Sequence, residues 1–330
     1  MNAQLPKIPT AADVDAAAER LKGVAVRTPL VFSPVLSEMT GGRIFIKPET
    51  LQRTGSFKFR GAYNRIAQIK PEQKAAGVVA CSSGNHAQGV AAAAKLLGMP
   101  AVIVMPNDAP TLKRVRTLAL GAEVVGYDRV TEDRDAIAAA IAARTGAILV
   151  PPYDDPDVIA GQGTVGREIV EDLVARGLEL DAVSANASGG GLMAGISLAV
   201  KARFPNALPI TAEPADFNDH ARSFASGVRE RNAQVSGSFC DALLAPTPGA
   251  ITFEVNRHLS GGAVSATDAE VAAAVAFAFL ELKLVVEPGG AVALAALLQG
   301  RIAAKDKTVV IVLSGGNVDP ETYAACLKSL

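Results

Sequence analysis

Two patterns of apolar residues alternate along most of the chain. Short runs rich in valine, isoleucine and alanine are separated by longer alanine-rich segments, in which apolar residues recur at helical spacing. Such runs are typical of strands buried on both faces of a parallel sheet, with helices as the crossovers. We therefore predict an α/β fold. The predicted strands cover residues 43–47, 77–81, 101–105, 123–126, 147–150, 182–185, 210–212 and 307–313, and the predicted helices cover 11–22, 57–69, 87–97, 112–118, 134–144, 164–175, 192–203, 268–283 and 290–299.

The strands divide into two groups along the chain. Four of them fall between residues 77 and 150, which is enough for a small sheet of their own. The segment PPYDDP at 151–156 predicts a linker because proline cannot sit in a central strand, and GQGT at 161–164 is expected to begin the next helix. We predict a small domain at 54–151 and a large domain formed by 1–53 and 152–330. Each domain is expected to be an open, mostly parallel sheet flanked by helices.

Composition narrows the possible classes of partner. The 330 residues carry a net charge of −1, which predicts no overall attraction to nucleic acid or to an anionic membrane. A small basic cluster, Lys113, Arg114 and Arg116, is interpreted as a solvated helix face. The three cysteines lack C-x-x-C spacing, which argues against a disulfide framework or a zinc site. No apolar run is long enough for a membrane span. We expect a cytoplasmic enzyme that binds a small molecule.

One lysine stands in an unusual setting, in the segment TGSFKFRG at 54–61. Lys58 follows a tight turn and lies between Phe57 and Phe59, whose rings are expected to enclose its amine. Burial disfavours the ammonium form and lowers the pKa of a lysine, as a nucleophilic amine requires. If this segment is considered alone, however, a surface lysine on an amphipathic helix is the commoner arrangement.

A glycine-rich loop, SGGGLMAG at 188–195, follows a predicted strand and begins a predicted helix. Consecutive N–H groups without side chains form an anion nest, and the helix N-terminus adds a favourable field. Phosphate binding is therefore expected. The loop also satisfies G-x-G-x-x-A, and Glu213 stands near the end of the next strand, as in dinucleotide-binding proteins. An NAD(P)-dependent oxidoreductase is thus the alternative from a different class.

Three other segments place polar residues where a strand gives way to a turn or a helix. CSSGNHAQG at 81–89 offers more convergent donors than helix capping requires. VLSGGN at 312–317 ends a strongly apolar strand, so the pattern alone makes Ser314 a strand-to-turn residue. VEPGGAV at 286–292 contains Glu287, which is either an acid at a helix N-terminus or part of a site.

Taken together, these segments resemble the pyridoxal-phosphate (PLP) serine/threonine dehydratases, or threonine ammonia-lyases, a family related to serine racemase. The resemblance covers nearly the whole chain. It implies the two-domain PLP fold type II, similar to the tryptophan synthase β-subunit. The sequence departs from the family pattern at Ser188, where the first of four glycines is usual, and at Gly289, where serine is commoner.

The resemblance also implies a role for each matched residue. Lys58 would hold PLP as a Schiff base and act as the catalytic base, with Ser83 on the other face of the substrate. A neutral Ser314 hydroxyl at the pyridine nitrogen would leave the ring unprotonated, which favours β-elimination over transamination. The residues implied to bind the cofactor are Phe57, Lys58, Asn85, Ser188, Gly189, Gly190, Gly191, Leu192, Glu287 and Ser314. Those implied to bind the substrate are Ser82, Ser83, Gly84, Asn85 and His86.

An acidic turn, EPADFND at 213–219, is a candidate cation site. Clusters of acids in turns are usually only solvated. Some members of the family, including serine racemases, bind Mg²⁺ or Ca²⁺ in a similar segment, and oxygen ligands suit such cations. The resemblance implies Glu213, Asp219 and the carbonyl of Phe217 as ligands. Zinc is not expected, because His220 has no partner at ligand spacing.

The implied reaction is the dehydration and deamination of L-threonine and/or L-serine, which yields 2-oxobutanoate or pyruvate plus ammonia. A serine racemase would use the same Lys58 and Ser83, so the sequence does not separate the two. A dehydratase of hydroxyaspartate or phenylserine would differ in the pocket beyond Cβ, where Tyr153 and Arg134 are candidates. The resemblance further implies a homodimer.

Overall fold

A computed structural model describes residues 7–82, 84–109 and 111–328, and it confirms the α/β fold with two mostly parallel sheets. The strands are β1 (Val31–Phe32), β2 (Arg43–Pro48), β3 (Val78–Cys81), β4 (Ala101–Pro106), β5 (Glu123–Tyr127), β6 (Ile148–Leu149), β7 (Ala182–Asn186), β8 (Leu208–Pro214), β9 (Gly262–Ala266) and β10 (Thr308–Leu313). The helices are α1 (Ala11–Leu21), α2 (Pro34–Thr40), α3 (Lys58–Ile66), α4 (Asn85–Leu96), α5 (Thr111–Ala119), α6 (Arg134–Thr145), α7 (Pro156–Ala175), α8 (Gly191–Arg203), α9 (Asp219–Ser226), α10 (Ala250–Leu259), α11 (Asp268–Phe277), α12 (Pro288–Leu298) and α13 (Pro320–Leu327).

The larger sheet has the strand order β1-β2-β10-β7-β8-β9, and only the β1–β2 pair is antiparallel. The smaller sheet has the order β5-β4-β3-β6 and is entirely parallel. All four of its strands fall within residues 54–151, while the domain boundaries themselves stay a prediction. Ligands of open parallel sheets bind beyond the carboxyl ends of the strands, which here carry the loops at 82–84, 187–190 and 314–317.

All eight predicted strands are present, but two strands and four helices were missed. The short edge strand β1 is exposed at both residues, and β9 is rich in glycine and alanine, so neither has a run of large apolar residues. The missed helices α2, α9 and α13 have only seven or eight residues each, and α10, with ten, contains a single alanine. In the described residues, no helix combines the length and the apolar character that a membrane crossing needs.

The predicted start of helix α7 is wrong. The helix begins at Pro156, because Asp155 caps it by accepting hydrogen bonds from the N–H groups of Asp157 (2.9 Å) and Val158 (3.0 Å). Proline at the first helical position suits this start, since it lacks an N–H that would need a partner. The segment 151–156 is therefore partly a helix N-terminus rather than a linker.

The glycines at 161 and 163 lie inside α7, where they allow other helices to approach. A Cβ atom at Gly161 would lie 2.6 Å from the carbonyl oxygen of Arg60 in α3, and one at Gly163 would lie 2.8 Å from that of Gly195 in α8. Both distances are too short for any side chain. These glycines therefore permit contact between helix backbones, and this requirement outweighs the cost of glycine in a helix interior.

A buried network of charges joins strand β2 to helices α3 and α7. Arg60, which is fully buried, binds both carboxylate oxygens of Glu49 at 2.8 Å and reaches Glu168 at 2.6 Å. The buried Lys47 donates to Glu168 at 2.5 Å and to the carbonyl of Thr28 at 2.7 Å. Two positive and two negative groups thus compensate one another, and the network holds the first turn of α3 in a fixed position.

The network shifts the pKa of Arg60 and of Glu49 in the directions that keep them charged, whereas burial lowers the pKa of Lys47 in spite of the nearby carboxylates. The adjacent carboxylates of Glu49 and Glu168 raise the pKa of Arg60 against the opposing effect of burial. The Arg60 guanidinium keeps the pKa of the Glu49 carboxyl below its ordinary value, although burial alone would raise it. Loss of either partner would leave a buried charge without compensation.

We predict that Arg60→Met lowers the free energy of unfolding by about 3 to 5 kcal/mol, because it leaves the buried Glu49 without the guanidinium that binds both of its oxygens and leaves Glu168 paired with Lys47 alone. The matched control is Asp15→Asn, which breaks a pair with Arg167 on the surface and should cost less than about 1 kcal/mol. Both values come from denaturant unfolding of the two variants. Equal free energies of unfolding for the two variants would show that the network does not stabilise the fold as proposed.

Candidate active site

Lys58 is the first residue of α3 and follows a turn with unusual backbone angles. Thr54 has φ of 62° and Gly55 has φ of 74°, and the former is uncommon for a β-branched residue. Asn317 holds this turn by donating to the Thr54 carbonyl at 2.7 Å. The N–H of Phe57 donates to the carbonyl of Ser314 at 3.1 Å, so the lysine segment is attached to the end of β10.

The Lys58 amine is enclosed by protein, although the residue keeps some accessible surface. Its Nζ donates to the carbonyl of Pro152 at 2.7 Å and lies 5.2 Å from the centre of the Phe57 ring. Phe59 belongs instead to the core around the smaller sheet, so the expectation of two enclosing rings is wrong. Burial lowers the pKa of Lys58 to about 8.

The glycine-rich loop faces the same region through Tyr153. The Tyr153 ring lies against Gly189, where a Cβ atom would come within 2.3 Å of it, and Tyr153 is the neighbour of the carbonyl that binds Lys58. The Ser188 hydroxyl accepts from the N–H of Ala245 at 3.1 Å. Leu192 is buried in the core beneath the loop. The structure therefore brings the lysine and the loop together through residues 152 and 153.

Ser314 lies at the carboxyl end of β10 and is buried. Its hydroxyl oxygen accepts from Nδ2 of Asn186 at 3.1 Å, which leaves the hydroxyl proton available to a further acceptor. Asn186 is held in turn, since its Oδ1 accepts from the N–H of Ala293 at 2.7 Å. Sequence reasoning missed Asn186, whose only signal is that a polar residue ends a buried strand.

Asn85 and Glu287 are in direct contact. Nδ2 of Asn85 donates to Oε1 of Glu287 at 2.5 Å, and its Oδ1 accepts from Asn317 at 2.8 Å. Burial raises the pKa of Glu287 to about 7; the nearby Lys113 opposes this rise and Asp241 adds to it. Glu287 is therefore a carboxyl group that can hold a proton near neutral pH.

The basic cluster on α5 does not form a solvated helix face, as the sequence suggested. Lys113 is buried, donates to Asp241 at 2.5 Å, and its Nζ lies 4.0 Å from Oε2 of Glu287. Arg116 donates to Oδ1 of Asn317 at 2.9 Å. Lys113 and Arg116 thus place positive charge beside Glu287 and Asn317, the two residues that contact Asn85. Helical periodicity could not reveal these contacts.

The loop before α4 carries the implied substrate residues. Ser82 accepts from the N–H of Gly84 at 3.1 Å, and Ser83 lies outside the described residues. Nε2 of His86 donates to the carbonyl of Val150 at 2.9 Å. Burial, reinforced by the charge of Lys58, lowers the pKa of His86 to about 3, so His86 is neutral. Helix α4 has no side-chain cap, which leaves its first N–H groups open to an anion.

Arg134 and Tyr153 lie near each other beside this cleft. The side chain of Arg134 is 42% exposed, and its nearest acid is Asp135, with Nε 3.7 Å from the carboxylate. Burial raises the pKa of Tyr153, and the charge of Arg134 opposes that rise. Arg134 thus forms a long ion pair with Asp135 and keeps part of its side chain exposed.

The acidic turn brings Glu213 and Asp219 together, and a ring nitrogen of His220 lies within 4.8 Å of both. Sequence spacing predicted no ligand partner for His220, whereas the folded turn places Glu213 and Asp219 beside its ring. The Glu213 carboxylate accepts from the N–H groups of His220 (2.7 Å) and Ala221 (2.9 Å). Phe217 ends the short 3₁₀ turn between the acids, and its side chain is buried.

The position of Glu213 argues against a dinucleotide. In that interpretation the acid would bind ribose hydroxyls, yet Glu213 is fully buried and its oxygens already accept from backbone N–H groups. The residues fit PLP better. A Cβ-free loop offers a seat for a phosphate, Lys58 offers an amine of lowered pKa, and Ser314 offers a hydroxyl proton to a ring nitrogen.

Comparisons with known proteins agree with this geometry. A model of the family described as "Pyridoxal-phosphate dependent enzyme" matches residues 21–315. The chain is 45% identical over 316 residues to the L-threo-3-hydroxyaspartate ammonia-lyase of a Pseudomonas species, covering 96% of this chain and 98% of that one. It is 43% identical over 310 residues to the L-threonine ammonia-lyase of Thermotoga maritima, covering 94% and 76%. The structure of maize serine racemase superposes with a TM-score of 0.91 at 35% identity, covering 98% of each chain.

We predict that the cofactor-free protein captures PLP faster as the pH rises through about 8 and that the rate then levels off. The capturing species is the neutral amine, and at that pH Lys58 should hold roughly two orders of magnitude more of it than an ordinary lysine. The Schiff-base absorbance after mixing reports the rate, and Lys58→Ala is the control that should give none. A rate that keeps climbing beyond pH 10 would contradict the lowered pKa.

Proposed function

The chain belongs to the pyridoxal-phosphate-dependent enzymes, and from this premise we propose that it is an ammonia-lyase of 3-hydroxy amino acids. L-serine and L-threonine are the proposed substrates, with pyruvate or 2-oxobutanoate plus ammonia as products. The observation that carries the proposal is the contact of Lys58 with Pro152, which places an amine of lowered pKa beside the glycine-rich loop.

The residues that would hold PLP are supported by their contacts. Lys58 offers the amine for the aldehyde, residues 188–192 offer N–H groups for the phosphate, and Ser314 offers a hydroxyl proton for the pyridine nitrogen. When bound, the cofactor supplies an electron sink that makes the Cα proton of an amino acid acidic. The neutral partner of its ring nitrogen limits this sink, so early departure of a β-hydroxyl is favoured over transamination.

Proton transfer is assigned to Lys58. Its amine is largely neutral at mildly alkaline pH and can take the Cα proton as a general base. The neutral His86 adds no positive charge beside it. Loss of the substrate hydroxyl as water leaves an enamine product, whose imine form takes up water to give the 2-oxo acid and ammonia.

The start of helix α4 is the proposed seat of the substrate carboxylate. Its first N–H groups have no side-chain cap, and the helix is 12 residues long, so its N-terminus attracts an anion. Ser82, Gly84, Asn85 and His86 surround this point in the sequence. Ser83 stays a proposed contact on the strength of its place in the motif, and with it a racemase activity stays an alternative.

A second candidate substrate, L-threo-3-hydroxyaspartate, is favoured by Arg134. The ion pair of this arginine with Asp135 is long, at 3.7 Å, its side chain is partly exposed, and its charge acts on Tyr153, so it is the proposed partner of a second carboxylate beyond Cβ. The Pseudomonas relative is named for that substrate. A phenylserine substrate would instead use the Tyr153 ring and leave Arg134 without a role.

We predict that Arg134→Gln raises KM for hydroxyaspartate at least about tenfold, because a charge-assisted pair is lost, while KM for serine changes less than about twofold. Ammonia release from serine, threonine, phenylserine and hydroxyaspartate is measured for both proteins. The control Lys58→Ala should release none from any of them while keeping its fold by circular dichroism. Turnover by that variant would refute the assigned base.

Chiral analysis of the serine recovered from these reactions separates the racemase alternative. An ammonia-lyase leaves the remaining serine in the L-form. Accumulation of D-serine faster than pyruvate would assign the chain to racemisation instead.

Glu213, Asp219 and the carbonyl of Phe217 are the proposed ligands of Mg²⁺ or Ca²⁺. Burial and the neighbouring Asp219 raise the pKa of Glu213 to about 8, and burial raises the pKa of Asp219 to about 6. Within the described residues, Oδ2 of Asp219 has no hydrogen-bond partner. The charge of Arg222 opposes both rises, yet the pKa of each acid stays above its ordinary value, and two adjacent buried acids favour a hard divalent ion.

We predict that Mg²⁺ or Ca²⁺ well above its Kd raises Tm by roughly 3 to 6 °C, because the ion binds only the folded chain. Glu213→Gln should abolish this response. Asp216→Asn is the matched control, since Asp216 lies in the same turn but is exposed, and it should keep the full response. Equal responses of the two variants would count against the site.

A cytoplasmic location and a homodimer are also part of the proposal. Cys81, Cys240 and Cys326 are buried thiols, and no disulfide joins them in the described part of the chain, which suits a reducing compartment. The homodimer is supported only by the resemblance to the family.

A further inference from the structure

Three consecutive carbonyl groups of the glycine-rich loop are each held by a side chain behind the loop. The Ser188 oxygen accepts from Nε2 of His220 at 2.8 Å. The Gly189 oxygen accepts from the hydroxyl of Thr252 at 2.5 Å, and the Gly190 oxygen accepts from Nδ2 of Asn256 at 3.1 Å. Two of the three donors thus come from one helix, α10, which the sequence patterns did not predict.

These bonds determine where the N–H groups of the loop point. All peptide bonds of the described chain are trans, so the N–H that follows each carbonyl points to the opposite side. The carbonyls of residues 188, 189 and 190 point toward their side-chain donors. The N–H groups of Gly189, Gly190 and Gly191 therefore all point away from those donors, to the other side of the loop. Three N–H groups directed to one side form an anion nest.

Packing also restricts the shape of the loop. Gly190 has φ of 89°, and a Cβ atom there would lie 2.5 Å from the His220 ring and 2.9 Å from Nδ2 of Asn256. On the other side, the Tyr153 ring lies against Gly189. The loop is confined between these groups, so the orientation of its N–H groups exists before any anion binds.

Helix α10 is itself fixed by the residue that follows Tyr153. Its N-cap, Gly249, has no side chain, and Asp154 takes over the capping role. The Asp154 carboxylate accepts from the N–H groups of Ala250 at 2.9 Å and Ile251 at 2.8 Å. The donors of α10 are therefore held at a fixed distance from Tyr153 and from Pro152, which contacts Lys58.

We infer that Thr252 and Asn256 are positioning residues for the phosphate of PLP. They hold the backs of two loop peptides so that the loop N–H groups face the phosphate, without touching the cofactor themselves. The inference rests on the proposed seat of the phosphate in the glycine-rich loop. The N–H of Gly249 also donates to the Gly189 oxygen (3.1 Å), and the N–H of Ala194 donates to the Gly190 oxygen (3.0 Å), so each side chain is one of two donors to its carbonyl. Removal of either side-chain donor loosens its peptide and weakens the nest for the phosphate alone.

The experiment compares PLP with pyridoxal, which has the same aldehyde and ring but no phosphate. The Kd of each is measured by absorbance titration of the cofactor-free protein. In Thr252→Val and in Asn256→Leu, the Kd for PLP should rise roughly tenfold, as for one lost hydrogen bond, and the Kd for pyridoxal should change less than about twofold. The bound phosphate should also shift its ³¹P resonance in these variants.

Two further variants separate positioning from general stability. Thr252→Ser keeps the hydroxyl and should restore wild-type affinity for PLP. Thr211→Val removes another buried threonine hydroxyl that donates to a carbonyl, on β8, and should leave both Kd values unchanged. If the Kd values for PLP and pyridoxal rose equally in the α10 variants, or if neither rose, the inference would be overturned. The proposed function would still stand in either case. A wild-type protein that bound both compounds equally would refute the phosphate seat itself.

Discussion

The buried charge network of Arg60, Glu49, Glu168 and Lys47 is the constraint on which the site depends. It fixes the first turn of α3 against β2 and α7, and Lys58 begins that turn. A flexible amine two residues from the network would otherwise have many positions available. The charges compensate one another in low dielectric surroundings, so the arrangement tolerates little displacement before one of them loses its partner.

Around this fixed helix, the site keeps the groups near the amine neutral. Burial leaves Lys58 with a pKa of about 8, and His86 carries no charge. Ser314 supplies an uncharged hydroxyl at the end of β10. The charged groups Lys113, Asp241 and Glu287 stand together on the side of Asn85. The uncharged surroundings of the Lys58 amine are thereby kept apart from these ionic contacts.

The sequence was sufficient for eight of the ten described strands and for locating the motifs, because these depend on local patterns. Strand positions follow from runs of buried residues, the glycine-rich loop and Ser314 each follow a strand, and Lys58 begins a helix after a turn. The structure brings these segments together, as the contacts of Phe57 with Ser314 and of Lys58 with Pro152 show. The roles assigned to the individual residues stay predictions.

What the sequence could not show depends on residues far apart in the chain. Arg60 and Glu168 are 108 positions apart, and Asn256 is 66 positions from the carbonyl it holds. Helical spacing predicted a solvated position for Lys113, because periodicity along one helix cannot show that Asp241 and Glu287 lie opposite it. The glycines in α7 were taken for a helix start, since a close helix crossing and a turn call for the same residue type.

Those two glycines also set a length. Gly161 lets α7 touch the helix that carries the amine, and Gly163, on the same helix, lets it touch the helix that follows the anion nest. Helix α7 therefore sets the separation between the helix that begins with Lys58 and the helix that follows the glycine-rich loop. A larger residue at either position would push one of these helices away, so the two sides of the cleft are held in register by a single helix backbone.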